Sequence, residues 1–308
     1  MHETSAFSPA GISSFFEIRD KRPDGRPFKD PSYAGARGGG LVISRGVLTR
    51  VRLKHANTSR ISVRINKRLA KEARTTISAI SRLLQVSGEK YEVIVEHDVR
   101  VPIGAGYGAS AAGSMSAALA FAEGADLGMS VNEVGLIVHG AEIANGTGLG
   151  TVGPILTGGF VITRKSGGPG IAVIDRVSVQ PDLKVISACL GPIPTKEALR
   201  SRDLRKKVNA LGKEAFQSIV RDPRPSNFMT ASKEFAYGLG LMSPQTAQLI
   251  EVMEDAGAIG ATQNMLGQAV HAIANEDLAG RVLAAVKKRF PRVQAFSSSF
   301  DFTGARLL

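Results

Sequence analysis

Residues 102–112 read Pro-Ile-Gly-Ala-Gly-Tyr-Gly-Ala-Ser-Ala-Ala. Glycine stands at the alternate positions 104, 106 and 108, and Ser110 opens an alanine-rich run to Ala122, which predicts a loop that leads into an α-helix. The free N–H groups of such a loop and of the first helical turn point to one place, where the helix dipole adds positive potential. This arrangement predicts a phosphate-binding site. The alternative is a flexible loop before a helix of small residues.

Two familiar phosphate-binding motifs do not fit this loop. A Walker loop needs Lys followed by Ser or Thr after its last glycine, and Ala109-Ser110 stands there instead. The dinucleotide fingerprint needs a different glycine spacing and an acidic residue about 20 residues later, after a second strand. The loop therefore indicates a phosphate site of another kind.

The composition is typical of a soluble globular protein. A chain of 308 residues with 43% hydrophobic residues is long enough for two domains or one large domain. The single cysteine, Cys189, excludes an internal disulfide and suits a reducing compartment. The first residues do not resemble a signal peptide, and no segment approaches the roughly 18 apolar residues of a membrane span. We therefore expect a cytoplasmic protein without a membrane partner.

The net charge of +12 raises the possibility of nucleic-acid binding. The Lys and Arg residues are dispersed along the chain, however, and aromatic residues make up only 6% of it, with no Trp to stack on bases. A positive field attracts small anionic substrates equally well. We expect no nucleic-acid partner.

Apolar periodicity predicts strands and helices on both sides of the loop. The predicted strands are Gly46–Lys54 and Ile61–Asn66, paired as a hairpin around residues 57–59, and Tyr91–Glu96, Gly159–Arg164, Ile171–Val179, Lys184–Leu190 and Gln294–Phe302. The predicted helices are Leu69–Leu84, a helix from the capping box Ser130/Glu133 to about Ala144, Lys196–Lys206, Pro244–Asp255 and Glu276–Phe290. Residues 21–40, rich in Pro, Gly and charge, are predicted to form a long loop. The Gly- and Pro-rich turn at 166–170 marks the predicted domain boundary, and an α+β domain follows it.

Several residues outside the loop could carry chemistry. Glu142 lies late on the capped helix, with His139 on the same face, and a carboxylate that meets the Ser110 hydroxyl at a phosphate loop could hold Mg²⁺. The alternatives are a solvated Glu142 and a packed or capping His139. The glycine-dense segment 146–150 predicts either close approach to a substrate or a helix stop. The small residues of 255–262 allow two backbones, or a backbone and a ligand, to meet.

These pieces together resemble the GHMP kinases, small-molecule kinases without a Walker loop. Their phosphate loop reads Pro-x-x-x-Gly-(apolar)-Gly-(Ser/Ala)-Ser-Ala-Ala, and residues 102–112 match it with Tyr107 in the apolar position. A narrower resemblance is to the archaeal-type pantoate kinases. It rests on residues 8–16, on the block that contains Glu142, 147–150 and 157–159, and on 263–267, with a further match at 37–40. The resemblance therefore covers the whole chain.

The resemblance implies a fold and an activity. The implied fold is the α+β two-domain GHMP kinase fold, with an N-terminal ribosomal-protein-like α/β domain (1–167) that binds nucleotide and a C-terminal ferredoxin-like α+β domain (168–308). The implied activity is ATP-dependent phosphorylation of pantoate to 4-phosphopantoate in coenzyme A biosynthesis, with ATP and Mg²⁺ as cofactors and a homodimer as assembly. The alternatives are another acceptor (homoserine, mevalonate or a sugar) and a nucleotide-binding regulator that has lost catalysis.

The resemblance also implies roles for individual residues. The nucleotide would contact Pro102, Gly104, Ala105, Gly106, Tyr107, Gly108, Ala109 and Ser110, and Ser110 and Glu142 would coordinate Mg²⁺. The implied catalytic residues are Ser110, Glu142, Thr151 and Arg164. Ser13, Ser14, Arg164 and Thr195 would bind the acceptor, with Arg164 suited to its carboxylate because a guanidinium pairs with a carboxylate through two hydrogen bonds.

The chain departs from the family pattern at two positions. Gly11 stands where the first motif usually has His, and Thr151 stands where the family usually has Asp, the base for the acceptor hydroxyl in many members. A positioned base contributes about 10²–10⁴-fold. Phosphoryl transfer depends mostly on positioning and charge neutralisation, so Thr151 could suffice to orient the hydroxyl. The alternatives are lost activity or another base, but the intact phosphate loop and metal ligands favour a working kinase.

Overall fold

The protein is described from a computed structural model that covers residues 2–191, 201–265 and 267–308. The strands of these residues are β1 (His2–Arg19), β2 (Gly35–His55), β3 (Arg60–Ile65), β4 (Arg68–Leu69), β5 (Tyr91–Val99), β6 (Phe160–Lys165), β7 (Val173–Val177), β8 (Lys184–Gly191), β9 (Gly260–Gln263), β10 (Gln268–Ala274), β11 (Gln294–Ser299) and β12 (Arg306–Leu307). The α-helices are α1 (Arg74–Ser87), α2 (Ala109–Gly124), α3 (Val131–Asn145), α4 (Val152–Thr157), α5 (Arg202–Arg221), α6 (Pro225–Leu239), α7 (Pro244–Asp255) and α8 (Glu276–Arg289). A short 3₁₀ helix covers Pro31–Tyr33. In this described part of the chain, every helix is too short or too polar to cross a membrane.

The first sheet has eight strands, in the order β12-β1-β2-β5-β3-β4, with β6 and β7 extending from one end of β2. Only β3 and β5 pair in parallel, and the other pairs are antiparallel. Helices α1, α2 and α3 cover one face and share an apolar core with it. Residues 111–122 of α2 are all buried, which explains why this helix is built from small and apolar residues with no polar face.

The second sheet has four antiparallel strands in the order β11-β8-β10-β9. Along β8, Ile186 and Ala188 face a core shared with α7 and α8, whereas Val185 and Cys189 face the core shared with the first sheet, α5 and α6. The two-residue period of a strand produces this division. The predicted α+β fold class is confirmed, with an antiparallel sheet and helices in the second half.

Elements with local start and stop signals were predicted well. The capping box joins Ser130 and Glu133 as expected, and α3 ends at Gly146, whose φ is 60°. Helix α7 has the predicted bounds, and α8 ends one residue early. Each of these signals acts within one helical turn, so the rest of the fold does not alter it.

Two predictions were wrong because the strands pair over long distances. The predicted hairpin of 46–54 with 61–66 does not form, since β5 lies between β2 and β3 and pairs with both. The predicted loop at 21–40 ends early, because β2 already begins at Gly35. Glycine is required at the start of β2 because β1 comes so close. A Cβ on Gly38 or Gly40 would overlap carbonyl oxygens of β1.

The predicted basic helix and the predicted domain boundary remain. Residues 196–200 of the predicted basic helix lie outside the described residues, and the described helix α5 begins at Arg202, after the N-cap Ser201, and continues to Arg221. The domain boundary at 167/168 stays a prediction. In the structure the first sheet continues past it through β7, and β12 returns the C-terminus to β1.

Candidate active site

The glycine loop has the conformation that its spacing predicts. Gly104, Gly106 and Gly108 have φ angles of 76°, 82° and 61°, in the left-handed region that glycine adopts without strain. Between them, Ala105 and Tyr107 are buried, at 0% and 1% exposure. Two inward side chains therefore anchor the loop, and the glycine backbone is left for a ligand.

Helix α2 begins directly behind this loop with unpaired amides. Its N-cap, Gly108, has no side chain to cap the helix, and the first intrahelical bond runs from the Ala112 N–H to the Gly108 carbonyl. The N–H groups of residues 109–111 therefore have no acceptor within the helix, and no acidic side chain lies in its first turn. This geometry fits an anionic group and supports the phosphate-site prediction.

Ser110 and Glu142 meet in space, as predicted. The Ser110 hydroxyl donates to Glu142 Oε1 at 2.7 Å, across the contact between α2 and α3. Glu142 is only 3% exposed, so the alternative of a solvated residue is wrong. Burial raises the pKa of Glu142, and hydrogen bonds from Thr147 and Ser110 partly oppose this rise.

In the described part of the chain, Glu142 has no cationic side chain as a partner. Among the ion pairs formed by the described residues, none includes Glu142, and its carboxylate accepts only hydroxyl hydrogen bonds. A buried carboxylate is costly unless a cation or a proton neutralises it. Carboxylate and hydroxyl oxygens are ligands that Mg²⁺ takes, and the free amides beside them suit the phosphate oxygens that Mg²⁺ also binds. The residues present therefore fit a magnesium ion.

Thr147 belongs to the same cluster and was not predicted. Its hydroxyl donates to Glu142 Oε1 at 2.7 Å and lies 2.9 Å from the Thr75 hydroxyl at the start of α1. The chain reverses after α3 at Gly146, and Gly148 then lies so close to Glu142 Oε2 that a Cβ there would overlap it. The glycine-dense segment thus ends α3, and its backbone also lies directly against the Glu142 carboxylate. A hydroxyl just after a helix-ending glycine was the available signal.

Thr151 lies beside Gly108, the last glycine of the phosphate loop and the N-cap of α2. It is the N-cap of α4, and its methyl carbon would lie 2.7 Å from a Cβ placed on Gly108 and 3.1 Å from one placed on Gly11. The two departures from the family pattern, Gly11 and Thr151, are therefore neighbours in the fold.

The remaining predicted residues do not belong to the hydrogen-bonded cluster of Ser110, Glu142 and Thr147. Arg164 lies on β6 and pairs with Asp175 of β7 at 2.7 Å, on an exposed face of the hairpin. Ser14 is fully buried and bonded to His271, whereas Ser13 is partly exposed. Thr195 lies outside the described residues. His139 is buried and contacts the Ala34 carbonyl at 2.9 Å, so its interpretation as a packed histidine is confirmed.

Comparison with known proteins agrees with this geometry. Residues 197–292 match the family model for the C-terminal part of GHMP kinases. Pantoate kinase of Thermococcus kodakarensis is 28% identical over 88% of this chain and 88% of the relative. Pantoate kinase of Methanocaldococcus jannaschii is 27% identical over 91% of this chain and 96% of the relative. A solved phosphotransferase related to the CoA biosynthesis pathway superposes with a TM-score of 0.88, covers 99% of this chain and 98% of its own, and is 24% identical, which shows a shared fold.

Proposed function

We infer that this chain belongs to the GHMP kinases, and we propose that it transfers the γ-phosphoryl group of ATP to the primary hydroxyl of pantoate, which gives 4-phosphopantoate. The observation that carries the proposal is the buried Glu142 carboxylate beside the amides at the start of α2, none of which has a counter-charge or acceptor among residues 2–191, 201–265 and 267–308. The similarity to two pantoate kinases over most of the chain supports the choice of acceptor.

The phosphate loop is proposed to bind the triphosphate. Amides of residues 104–111 would donate hydrogen bonds to phosphate oxygens, and the α2 dipole would add positive potential. Because these donors are fixed before the reaction, they stabilise charge that develops in the transition state without reorganisation. Ser110 and Glu142 would hold Mg²⁺, which when bound neutralises charge on the phosphate oxygens.

The acceptor is proposed to bind beside Ser13, with Arg164 and Thr195 as further candidates. Ser14 leaves this set in our proposal, because its side chain is buried and its hydroxyl is bonded to His271. Thr151 has no carboxylate to act as a base, and we propose that it orients the acceptor hydroxyl. A loose transition state tolerates this, because the hydroxyl keeps its proton until the new P–O bond forms and can then release it to a phosphoryl oxygen or to water. The expected assembly is a homodimer, which light scattering would test.

A coupled ADP-release assay tests the activity. ADP release that depends on D-pantoate, and not on homoserine or mevalonate, is the expected result. Ser110→Ala and Glu142→Gln are each expected to lower kcat by about 10²-fold or more, the loss typical for a group that stabilises transition-state charge. Glu123→Gln, the same change at an exposed position of α2, is the matched control.

Each other outcome has a distinct meaning. Turnover of a different acceptor would retain the kinase and reject pantoate. ATP binding without turnover of any acceptor would favour the regulator. Full activity of Ser110→Ala and Glu142→Gln would reject the metal assignment.

A further inference from the structure

Behind the phosphate loop, side chains from two distant parts of the chain form one line of hydrogen bonds that ends at the backbone of the loop. The Ser14 hydroxyl lies 2.8 Å from His271 Nε2, and His271 Nδ1 lies 2.8 Å from Asn264 Oδ1. Asn264 Nδ2 then donates to the Ala105 carbonyl at 3.4 Å. Ser14, Asn264 and His271 are all fully buried, so water does not compete for these bonds. We call these three side chains the relay.

The chemistry of the groups fixes the direction of every bond in the relay. Burial lowers the pKa of His271 to about 3, so its ring is neutral at physiological pH. Asn264 Oδ1 can only accept, and therefore the ring proton is on Nδ1 and Nε2 accepts from the Ser14 hydroxyl. The donors run head to tail from Ser14 to the Ala105 carbonyl of the phosphate loop.

Backbone contacts hold the two ends of the relay, at β1 and at the phosphate loop, close to the turn that contains Asn264. Ser14 falls at a β-bulge, because the pairing of β1 with β2 shifts between Ser13 and Phe15, and a bulge re-aims the side chain of the extra residue. The Met265 N–H donates to the Ser13 carbonyl at 2.9 Å. Asn264 and Met265 lie in the turn that follows β9. This turn also meets the phosphate loop, where a Cβ on Gly106 would lie 2.9 Å from Asn264 Cβ. The turn is therefore held between β1 and the phosphate loop.

We propose that Ser14, His271 and Asn264 are positioning residues, which hold the phosphate loop in the conformation that binds the nucleotide. The Ala105 carbonyl and the Gly106 N–H belong to one planar peptide group and point in opposite directions. When Asn264 holds the carbonyl inward, the Gly106 N–H is directed outward, toward the proposed phosphate site. The inference rests on the proposed function, since it concerns the same loop.

Thr262 offers a matched control for this inference. It pairs with His271 across the β9–β10 ladder and is also fully buried, but among the described residues its hydroxyl has no hydrogen-bond partner. Thr262→Val preserves the shape of the side chain and removes a hydroxyl that is not part of the relay. Ser14→Ala and His271→Leu break the relay at its start and at its centre.

The experiment is a titration of each purified protein with ATP in the absence of acceptor, followed by steady-state kinetics. Ser14→Ala and His271→Leu are expected to raise the Kd and the KM for ATP by about tenfold, the effect of one lost hydrogen bond to a buried polar group. The KM for pantoate at saturating ATP is expected to stay unchanged. Thr262→Val is expected to bind ATP as the wild type does.

A Kd for ATP within about twofold of wild type in the Ser14→Ala and His271→Leu proteins would overturn the inference, whatever their melting temperatures. The same holds if Thr262→Val weakens ATP binding as much as they do. Should His271→Leu fail to fold, Ser14→Ala decides alone, because it removes a single oxygen. A wild-type protein that does not bind ATP would instead reject the proposed function itself.

Discussion

Replacement of Gly106 by alanine tests whether the phosphate loop is built as described. The φ angle of Gly106 is 82°, and alanine in the left-handed region costs about 1–2 kcal/mol. The added Cβ would also lie 2.9 Å from Asn264 Cβ, and overpacking of this kind costs about 1–3 kcal/mol. The two effects together predict a loss of about 2–5 kcal/mol in the free energy of unfolding, unless the loop moves away from Asn264.

Gly88→Ala separates the two effects. Gly88 ends α1 with a φ of 69°, and nothing lies within 4 Å of a Cβ placed there. This variant therefore incurs only the conformational cost of about 1–2 kcal/mol and keeps the phosphate loop unchanged. The excess loss in Gly106→Ala over Gly88→Ala measures the contact with Asn264.

Urea denaturation and ATP titration together give the result. Gly88→Ala is expected to be moderately less stable and to bind ATP normally, whereas Gly106→Ala is expected to be less stable still or to bind ATP more weakly, because any relief of the contact displaces the loop. Equal losses of stability in the two variants, combined with wild-type ATP affinity in Gly106→Ala, would refute the described packing of the loop on Asn264.

Three further outcomes are expected. Burial lowers the pKa of His97 to about 4 and of His271 to about 3, from 6.5, so below pH 6.5 the unfolded chain takes up protons that the folded chain does not. The free energy of unfolding, measured by urea denaturation, should therefore fall on acidification from about pH 6.5, by up to about 1.4 kcal/mol per pH unit for each histidine, and His271→Gln should reduce that slope. Arg164→Ala should raise the KM for the acceptor by about tenfold or more, with little change in melting temperature because the exposed pair with Asp175 contributes at most about 1 kcal/mol, and Asp175→Ala should leave that KM unchanged. Thr151→Asp should raise kcat, by at most about 10²–10⁴-fold, if the position can hold a base, and an unchanged or lower kcat would argue against that role.

The parts of the site that the sequence predicts are those with local signals. The alternating glycines at 104, 106 and 108 predict a loop with an open backbone before a helix, because glycine alone adopts these conformations without strain. The meeting of Glu142 with Ser110 was one of two alternatives that the residues left open, and the resemblance to the GHMP kinases implied it. The burial of Glu142, which decides its chemistry, could not be predicted, since it depends on how α2 and α3 pack.

The features that the sequence did not predict depend on contacts between residues far apart in the chain. Ser14 and His271 are 257 residues apart, and their contact requires a bulge in β1 and the docking of the second sheet. In the same way, the insertion of β5 between β2 and β3 follows from a helical crossover, which a turn signal at residues 57–59 does not reveal. The contact of Thr147 with Glu142 depends on the reversal of the chain after Gly146, which the sequence does not define.

The two positions at which the sequence departs from the pattern of the family that it resembles lie next to each other in the fold. Gly11 and Thr151 are 140 positions apart in sequence, yet a Cβ on Gly11 would lie 3.1 Å from the Thr151 methyl carbon and 3.0 Å from Ile155. A side chain as large as His at position 11 would therefore have to occupy space that Thr151 and Ile155 fill here. The Thr151 methyl group also closes the space beside Gly108, at the end of the phosphate loop. Substitutions at positions 11 and 151 are therefore expected to constrain each other, while the loop glycines and the Ser110–Glu142 pair lie in the arrangement that the phosphate site needs.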